Sequence, residues 1–421
     1  MDRPALASPA MSRSRPPLLF RGWLVVAGAF VVQLVGYGAA YSFAAFAEDL
    51  ERAFGASRTS VSAVYAICGF TAFAVSAVAG PLADRIGPRP LAAAGMLLVA
   101  FGLATAATAR SLAEIYLCYG LIIGLGIGFA YVPAVAVVQR WFVAWRGLAS
   151  GMAASGIGFG TALVPPAVDA LAAGAGWRAA FVLCAIAAAV LGVAGALLLV
   201  SSPESRGLAP DGGTAHPIAM HPGAMHPGGQ SLREVLRRRS FWLLYTGAML
   251  VSVPASLPIA HLARAAADSG LPRTEAMGLL SLLGIASIAG RLVLGALADI
   301  VGRAATFIGS CAAVAGLTLL WAIADGTRMF TLFAIGFGIA YGGFVALLPS
   351  FTTDLHGRRC AASAIGVLFT GRAMALLLAA PLVALMVERT GGYTAGLSLA
   401  ALLGALGTAL VARARAQALR A

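Results

Sequence analysis

The 421-residue sequence contains no lysine, so all 29 of its basic residues are arginine. This absence excludes the lysine chemistry of P-loop phosphate binding and of Schiff-base catalysis. Charged residues of either sign are scarce: they make up 11% of the chain, against about 25% in soluble domains. With 60% hydrophobic residues as well, the composition is typical of a protein that lies in a lipid bilayer.

Cysteine is rare and dispersed. The five cysteines form no CxxC pair, and four of them have no His or Asp within six residues, which favours buried small side chains over a metal, redox or disulfide site. They are Cys68, Cys118, Cys184, Cys311 and Cys360. The apolar segments also contain no carboxylate pair and no Ser/His/Asp set. The sequence therefore predicts neither a metal nor a cofactor, and no enzymatic activity.

Apolar runs of about 20 residues, the length that crosses a bilayer core, recur along almost the whole chain. Because a spanning backbone must satisfy its own hydrogen bonds, we expect these runs to be helices. The sequence thus predicts an all-α polytopic membrane protein with twelve transmembrane helices. Their expected ranges are 22–46, 59–81, 90–108, 113–138, 148–171, 178–200, 241–262, 274–297, 304–323, 330–349, 361–386 and 393–412.

Arginine is unevenly distributed between the predicted connections. The basic N-terminal tail, 1–21, has no suitably placed cleavage site for a signal peptide, so we expect it to stay on the cytoplasmic side. Nineteen arginines then fall on that side and eight on the other, which is the positive-inside pattern. The sequence predicts a cell (inner) membrane protein whose C-terminal tail, 414–421, is also cytoplasmic. The net charge of +13 therefore indicates topology, and no nucleic-acid partner is expected.

A polar stretch rich in Pro and Gly, 201–239, separates a six-helix bundle at 22–200 from a second at 240–413. Its composition predicts a flexible cytoplasmic linker. Three histidines recur in it every five residues, which low-complexity drift explains more readily than metal chelation. They are His216, His221 and His226.

The same short insert occurs once in each half. "GPLADRIG" (80–87) follows the second span and "GALADIVG" (295–302) follows the eighth. A weaker echo pairs "GIGFAY" (126–131) in the fourth span with "GFGIAY" (336–341) in the tenth. Such duplication is typical of transporters whose substrate lies between the halves near the bilayer midplane.

The repeated G-x-L-A-D-x-x-G pattern, the central linker and the twelve helices resemble the major facilitator superfamily over residues 20–415. The resemblance implies two pseudo-symmetric six-helix bundles. In each insert, glycines would let the backbone turn sharply, and the aspartate would cap a helix or pair with arginine. The alternative is a polar turn without further function. The implied conformational latch consists of Gly80, Asp84, Arg85, Gly87, Gly295, Asp299, Gly302 and Arg303.

Arg291 and Arg372 are the two arginines that fall inside predicted spans, ~12 Å and ~17 Å from the cytoplasmic edge. An isolated charge at the bilayer centre costs about 2.5 kcal/mol or more, and we expect none of the 16 acidic residues at that depth. An anionic substrate is the expected counter-ion, because the planar guanidinium matches a carboxylate bidentately. The alternative is that each arginine snorkels or bonds to backbone carbonyls.

A finer resemblance links the chain to the monocarboxylate transporter and oxalate/formate antiporter branch. It implies that Arg291, in the eighth span, binds a substrate carboxylate. Ser287 stands where monocarboxylate members often have an Asp that carries the coupled proton. Arg372 resembles the second basic residue of oxalate-exchanging members. The segments that carry the resemblance are "GIGFAYVPA" (126–134), "WFVAWRGLASGMAASGIGFG" (141–160), "GRLVLGALAD" (290–299) and "GGY" (391–393).

Further polar side chains in the spans are candidates for substrate contact, with ordinary helix packing as the alternative. They are Gln33, Tyr37, Tyr41, Tyr131, Ser287 and Tyr341. His261 follows two prolines in the seventh span and is either a proton shuttle or, more simply, a solvated residue at a helix end.

Taken together, the residues predict a monomeric secondary active transporter of small mono- or dicarboxylates that works by alternating access. A proton or a counter-anion is the expected coupled species. A drug or sugar exporter of the same superfamily is the alternative. A membrane sensor would need a signalling domain, and neither the linker nor the short tails supply one.

Overall fold

The computed structural model describes residues 20–212 and 230–419, and these residues form helices α1 to α15. The first half contains α1 (Gly22–Tyr41), α2 (Phe43–Phe54), α3 (Arg58–Ala74), α4 (Ser76–Ile86), α5 (Pro88–Ala107), α6 (Leu112–Trp141), α7 (Arg146–Ala175) and α8 (Trp177–Leu197). The second half contains α9 (Leu232–Arg237), α10 (Arg239–Asp268), α11 (Arg273–Val301), α12 (Arg303–Ala322), α13 (Gly326–His356), α14 (Ala361–Thr390) and α15 (Thr394–Ala418). The predicted all-α class is confirmed.

Most of these helices are long enough to cross a bilayer. Over the two described ranges, eleven helical stretches are long and apolar enough to do so, or twelve if α3 and α4 count as one span. The sequence predicts one continuous helix over 59–81, whereas α3 and α4 are bent by 43° relative to each other. The last helix, α15, continues to Ala418 and so extends beyond the expected bundle end at 413.

The two halves meet where α7 packs against α11 and where α4 packs against α14. Both crossings lie at the end of the molecule that carries the turns at Gly87 and Gly302, and we call this end the turn face. Gly87 and Gly302 have φ values of 92° and 113°, which side chains other than glycine rarely adopt. These two glycines therefore occupy the sharp turns that the sequence predicts.

Gly80 and Gly295 have a different role from the one expected. Both lie inside helices, where an added Cβ would collide with the carbonyl oxygen of Ala362 or of Gly147 in the opposite half. Small residues let membrane helices approach each other closely. The expectation of four turning glycines is therefore corrected: two make the turns and two permit the crossings.

The crossings also preserve the sequence repeat. A Cβ on Gly151 of α7 would collide with the carbonyl oxygen of Arg291, and one on Gly366 of α14 with that of Ser76. These two contacts are related by the same 215-residue offset that relates the two G-x-L-A-D inserts. The backbone contact that closes the turn face is thus built twice from one pattern.

The described part of the linker packs against the turn face. The Asp211 carboxylate accepts hydrogen bonds from the backbone N–H groups of Val143 and Ala144, at 3.0 and 2.8 Å. Close by, the indole of Trp141 donates to the carbonyl oxygen of Val200 at 2.7 Å. These bonds fix the turn between α6 and α7. The three linker histidines, His216, His221 and His226, lie outside the described residues.

Candidate functional site

A cavity of about 280 Å³ lies between the two halves. Arg291 of α11 and Arg372 of α14 both line it. Small-molecule pockets commonly occupy about 300–1,000 Å³, so this volume suits a small ligand. Four of the tyrosines singled out in the sequence line the same cavity: Tyr37, Tyr41, Tyr131 and Tyr341.

Arg291 is a buried cation that has no counter-ion among the described residues. Its side chain is 3% exposed, and its Nε and Nη1 have no hydrogen-bond partner among the described residues. Within the same residues, no carboxylate forms an ion pair with it. Burying an unpaired charge and unbonded donors is unfavourable, so the arrangement favours an anion that enters the cavity.

Arg372 is held differently. Its Nη2 donates a hydrogen bond to the Tyr341 hydroxyl at 2.8 Å. Its guanidinium carbon lies 5.3 Å from the ring centre of Phe73, 5.8 Å from that of Tyr341 and 5.9 Å from that of Phe344. Aromatic faces attract a cation at such distances. Arg372 is therefore partly compensated, although its Nε, like Nε and Nη1 of Arg291, has no hydrogen-bond partner among the described residues.

Two of the expected substrate contacts lie outside this cavity. The Gln33 amide points away from it and donates to the carbonyl oxygens of Ala29 and Ala153, at 3.1 and 3.0 Å. Ser287 is buried and does not line the cavity, whereas Arg291, one turn later on α11, does line it. The expected substrate role of Gln33 and Ser287 is corrected accordingly.

Several residues of the cavity wall were not predicted. Tyr65 of α3 lines it beside Tyr41, with their ring centres 5.9 Å apart, and Ser252 and Ser256 of α10 line the opposite wall. Tyr65 could have been found as a polar aromatic residue within an apolar run, whereas Phe73 carries no such signal. His261 does not line the cavity and packs against the ring of Tyr393, at 5.9 Å between centres.

The two repeated aspartates cap helices across the interface between the halves. Asp84 accepts from the backbone N–H of Ser363, at the start of α14, at 2.9 Å. Asp299 accepts from the N–H of Leu148, at the start of α7, at 2.8 Å. A carboxylate at a helix N-terminus satisfies free N–H groups and interacts favourably with the helix dipole. The two caps are related by the 215-residue offset.

Arginines add ion pairs at the turn face. Arg303 donates to Asp354 at 2.6 Å and, across the interface, to the carbonyl oxygen of Val143 at 3.0 Å. Arg146 of the first half also pairs with Asp354. Arg85 is exposed and forms no ion pair within the described residues. At Asp84 the pairing arginine is instead Arg140, at 2.5 Å, so the expected place of Arg85 in the latch is corrected.

The family comparison agrees with this architecture. The family model of the Major Facilitator Superfamily matches residues 28–380. The chain belongs to the major facilitator superfamily. It is therefore a multi-pass membrane transporter and not an enzyme, as the sequence predicts.

Curated relatives place the chain beside the monocarboxylate transporters of this superfamily. Monocarboxylate transporter 12-B of Danio rerio is 28% identical over 402 residues, covering 89% of this chain and 83% of that protein. Monocarboxylate transporter 3 of Mus musculus is 31% identical over 379 residues, covering 88% and 75%. The resemblance to the monocarboxylate branch is confirmed.

Solved structures share the fold. The human organic anion transporter MFSD10 aligns with a TM-score of 0.72 at 18% identity, covering 93% of this chain and 99% of that chain. The E. coli fucose:proton symporter FucP (N162A) aligns with a TM-score of 0.70 at 14% identity, covering 94% and 98%. At these identities the likeness establishes the two-bundle fold alone.

Proposed function

We propose that this protein carries small organic carboxylates across the membrane, and that Arg291 binds the substrate carboxylate. The observation that supports this most directly is the buried Arg291 guanidinium, which faces the central cavity with Nε and Nη1 unbonded among the described residues. A carboxylate supplies two acceptor oxygens in the geometry of the guanidinium fork. The names of the monocarboxylate transporter relatives point to the same class of substrate.

Arg372 has a secondary role in this proposal. Because the Tyr341 hydroxyl and the surrounding rings hold its guanidinium in place, Arg372 orients the substrate, and its positive charge adds long-range attraction. The Nε of Arg372 has no hydrogen-bond partner among the described residues, so it remains able to donate to a second substrate oxygen. We favour monocarboxylates over dicarboxylates, because the relatives that the chain resembles are named as monocarboxylate transporters.

Transport proceeds by alternating access between the two halves, proposed as 22–200 and 240–413. The capped helices close the turn face. The cavity wall includes Ile259, which lies about 30 Å along α10 from Arg239, the first residue of that helix after the linker. The cavity therefore extends away from the turn face. The arginine bias supports placing that face, the linker and both termini in the cytoplasm. The proposal includes an inner-membrane location and a monomeric protein. With this orientation, the structure is closed on the cytoplasmic side.

The charge of the cavity bears on coupling. The cavity wall, as far as the structure describes it, holds two arginines and no carboxylate. Ser287 supplies no titratable group in place of the aspartate that proton-coupled members often have. An unliganded cavity with two positive charges reorients unfavourably through a low-dielectric interior. Exchange of one anion for another, or entry together with a cation, follows from this.

The test is uptake of labelled formate, lactate, oxalate and malonate into proteoliposomes by the wild type and by Arg291→Gln. Charge-assisted hydrogen bonds contribute about 1.5–3 kcal/mol, so uptake at low substrate concentration should fall about tenfold to a hundredfold. Arg264→Gln, at an exposed arginine of α10, is the matched control and should retain uptake.

Equal uptake by Arg291→Gln and the wild type would refute the carboxylate role of Arg291. A sugar or drug exporter, the alternative within this superfamily, predicts that result together with competition by neutral or cationic ligands. Glucose and a lipophilic cation should therefore be included as competitors.

A further inference from the structure

A second, much smaller cavity of about 10 Å³ lies next to the 280 Å³ cavity that Arg291 and Arg372 line, which we call the substrate cavity. Tyr131 and Val345 line both cavities, so they form the partition between them. Gln33 and Gln139 line the small cavity on the side of the first half, and Pro349 on the side of the second. It therefore spans the interface between the halves.

The two glutamine side chains are fully enclosed, being 1% and 0% exposed for Gln33 and Gln139. The Gln33 amide nitrogen donates to two backbone carbonyls, and that of Gln139 donates to the carbonyl of Val135 at 3.2 Å and to the Ser150 hydroxyl at 3.0 Å. Each amide thereby uses both of its N–H donors.

These partners fix which way each amide faces. Rotating either amide by 180° would place its oxygen against a backbone carbonyl oxygen, which cannot donate a hydrogen bond. The Oε1 atoms of Gln33 and Gln139 must therefore remain acceptors, and neither has a hydrogen-bond partner in the described part of the chain. Both glutamines line the small cavity, and buried, unpaired acceptors are costly unless a donor or a cation reaches them.

A third acceptor comes from the second half. Pro349 lies within α13 and has no N–H group, so the carbonyl of Val345 lacks its usual helical donor four residues later. Val345 and Pro349 both line the small cavity. The residues that line the cavity thus carry three acceptor oxygens, on α1, α6 and α13, that lack a donor of their own or their usual helical donor.

We propose that this cavity is a binding site for one small electropositive ligand, a water molecule or a monovalent cation of similar size, held by Gln33, Gln139 and the Val345 carbonyl. The volume agrees, because a single buried water needs roughly 10–15 Å³ of accessible space. The ligand bridges the two halves, and separation of the halves at the turn face removes the Val345 acceptor. The site does not depend on which substrate the larger cavity takes.

The direct test is a density map of the purified wild-type protein with the turn face closed, at a resolution that shows other buried waters. We expect a peak within hydrogen-bonding distance, about 2.5–3.0 Å, of both Oε1 atoms. An empty cavity in such a map would overturn the proposal. This measurement needs no variant, so it shows whether the small cavity holds a ligand even if a substitution at Gln33 or Gln139 prevents folding.

A double-mutant cycle on thermal stability tests the shared ligand independently. Gln33→Met and Gln139→Met each remove one acceptor of the ligand together with that amide's own two donated hydrogen bonds. The losses of the donated bonds are separate and add, whereas either substitution alone should already expel the shared ligand. The loss of Tm in the double variant should then be smaller than the sum of the single losses. Ser252→Ala, on α10, combined with Gln139→Met is the control pair and should be additive. Additive losses for Gln33 and Gln139 would contradict a common ligand.

The dependence of stability on the salt in the medium distinguishes a bound water molecule from a bound monovalent cation. Wild-type Tm is measured in NaCl, KCl and choline chloride at equal ionic strength. A higher Tm in one metal salt that disappears in Gln139→Met assigns a cation, and equal Tm values in all three assign water to the observed density. Arg291 and Arg372 lie in the adjoining cavity and disfavour a cation by repulsion, so water is the expected result.

Discussion

Arg291 and Arg372 have the same chemistry but different surroundings. Arg291 is enclosed with unbonded donors in the described structure, while Arg372 donates to Tyr341 and lies among aromatic faces. The difference comes from α13, which supplies a hydroxyl acceptor and two aromatic rings to Arg372, through Tyr341 and Phe344. Substitutions at the two positions should therefore have different consequences.

Tyr341→Phe tests whether Arg372 must be held in place by its hydrogen bond, because the variant keeps the charge of Arg372 but removes the acceptor. The ring and its cation–π contact remain, but the acceptor for the 2.8 Å hydrogen bond is lost. A hydrogen bond from a charged donor contributes about 1.5–3 kcal/mol, and a water molecule that takes the place of the lost hydroxyl restores part of this energy. We expect KM to rise about threefold to tenfold and the maximal rate to change little, measured by concentration-dependent uptake.

Tyr245→Phe is the matched control for this experiment. The Tyr245 hydroxyl lies 3.2 Å from the Thr370 hydroxyl and outside the cavity lining. Its removal should leave KM unchanged. An effect on KM as large as that of Tyr341→Phe would mean that loss of any interhelical hydroxyl perturbs transport, and the orienting role would be rejected.

At the scale of elements, the turn face is built from two equivalent helix crossings, α7 with α11 and α4 with α14. Each crossing combines a glycine against a carbonyl oxygen with an aspartate that caps the opposite helix. Opening this face would expose the N-termini of α7 and α14 and separate Arg303 from Val143. We propose that these contacts act as the latch of the closed turn face.

Gly151→Ala tests the crossing itself. The added methyl group would overlap the carbonyl oxygen of Arg291, and overpacking of this kind costs about 1–3 kcal/mol. The penalty applies when the turn face is closed, so the variant should favour the state in which that face is open. Spin labels placed on the turn-face ends of α7 and α11 should show a population at longer distance.

Gly284→Ala, on α11, provides the comparison. Nothing lies within 4 Å of a Cβ built at Gly284, so this variant should keep the wild-type distance distribution. Indistinguishable distributions for Gly151→Ala and the wild type would show that the crossing does not control opening.

For the whole molecule, orientation in the membrane follows from charge, and it is testable by thiol labelling. Four of the five native cysteines are buried, the exception being Cys184. Cys360 lies outside the spans, and burial, with Asp84 nearby, raises the pKa of its thiol to about 11. Because the thiolate is the reactive form, Cys360 should label slowly at neutral pH.

Two introduced cysteines then report the two sides. Arg85→Cys lies on the exposed turn face, and Ser269→Cys lies at the opposite end of α10. In intact cells a membrane-impermeant maleimide should label Ser269→Cys at once and Arg85→Cys after permeabilisation. The reverse pattern would invert the proposed topology and place the turn face outside.

Much of the architecture could be predicted from the sequence. The transmembrane spans follow from the lengths of the apolar runs, because a bilayer core is crossed by apolar helices of a fixed minimum length that satisfy their own backbone hydrogen bonds. The repeated inserts mark where each half turns, and the absence of acidic residues near Arg291 and Arg372 already indicated charge without a partner. These features depend on local composition, which a single sequence records directly.

The tertiary structure decided which polar residues share a space. Gln33 and Tyr37 lie one turn apart on α1, and helical periodicity puts both on one face. Yet Tyr37 lines the substrate cavity, while α7 approaches α1 so closely that the carbonyl oxygen of Ala153 accepts a hydrogen bond from the Gln33 amide. Periodicity fixes the direction of a side chain, but the distance to the next helix depends on glycines and alanines far away in the chain. For the same reason, the pairing of Asp84 with Arg140 and the aromatic surroundings of Arg372 emerged from the packed helices alone.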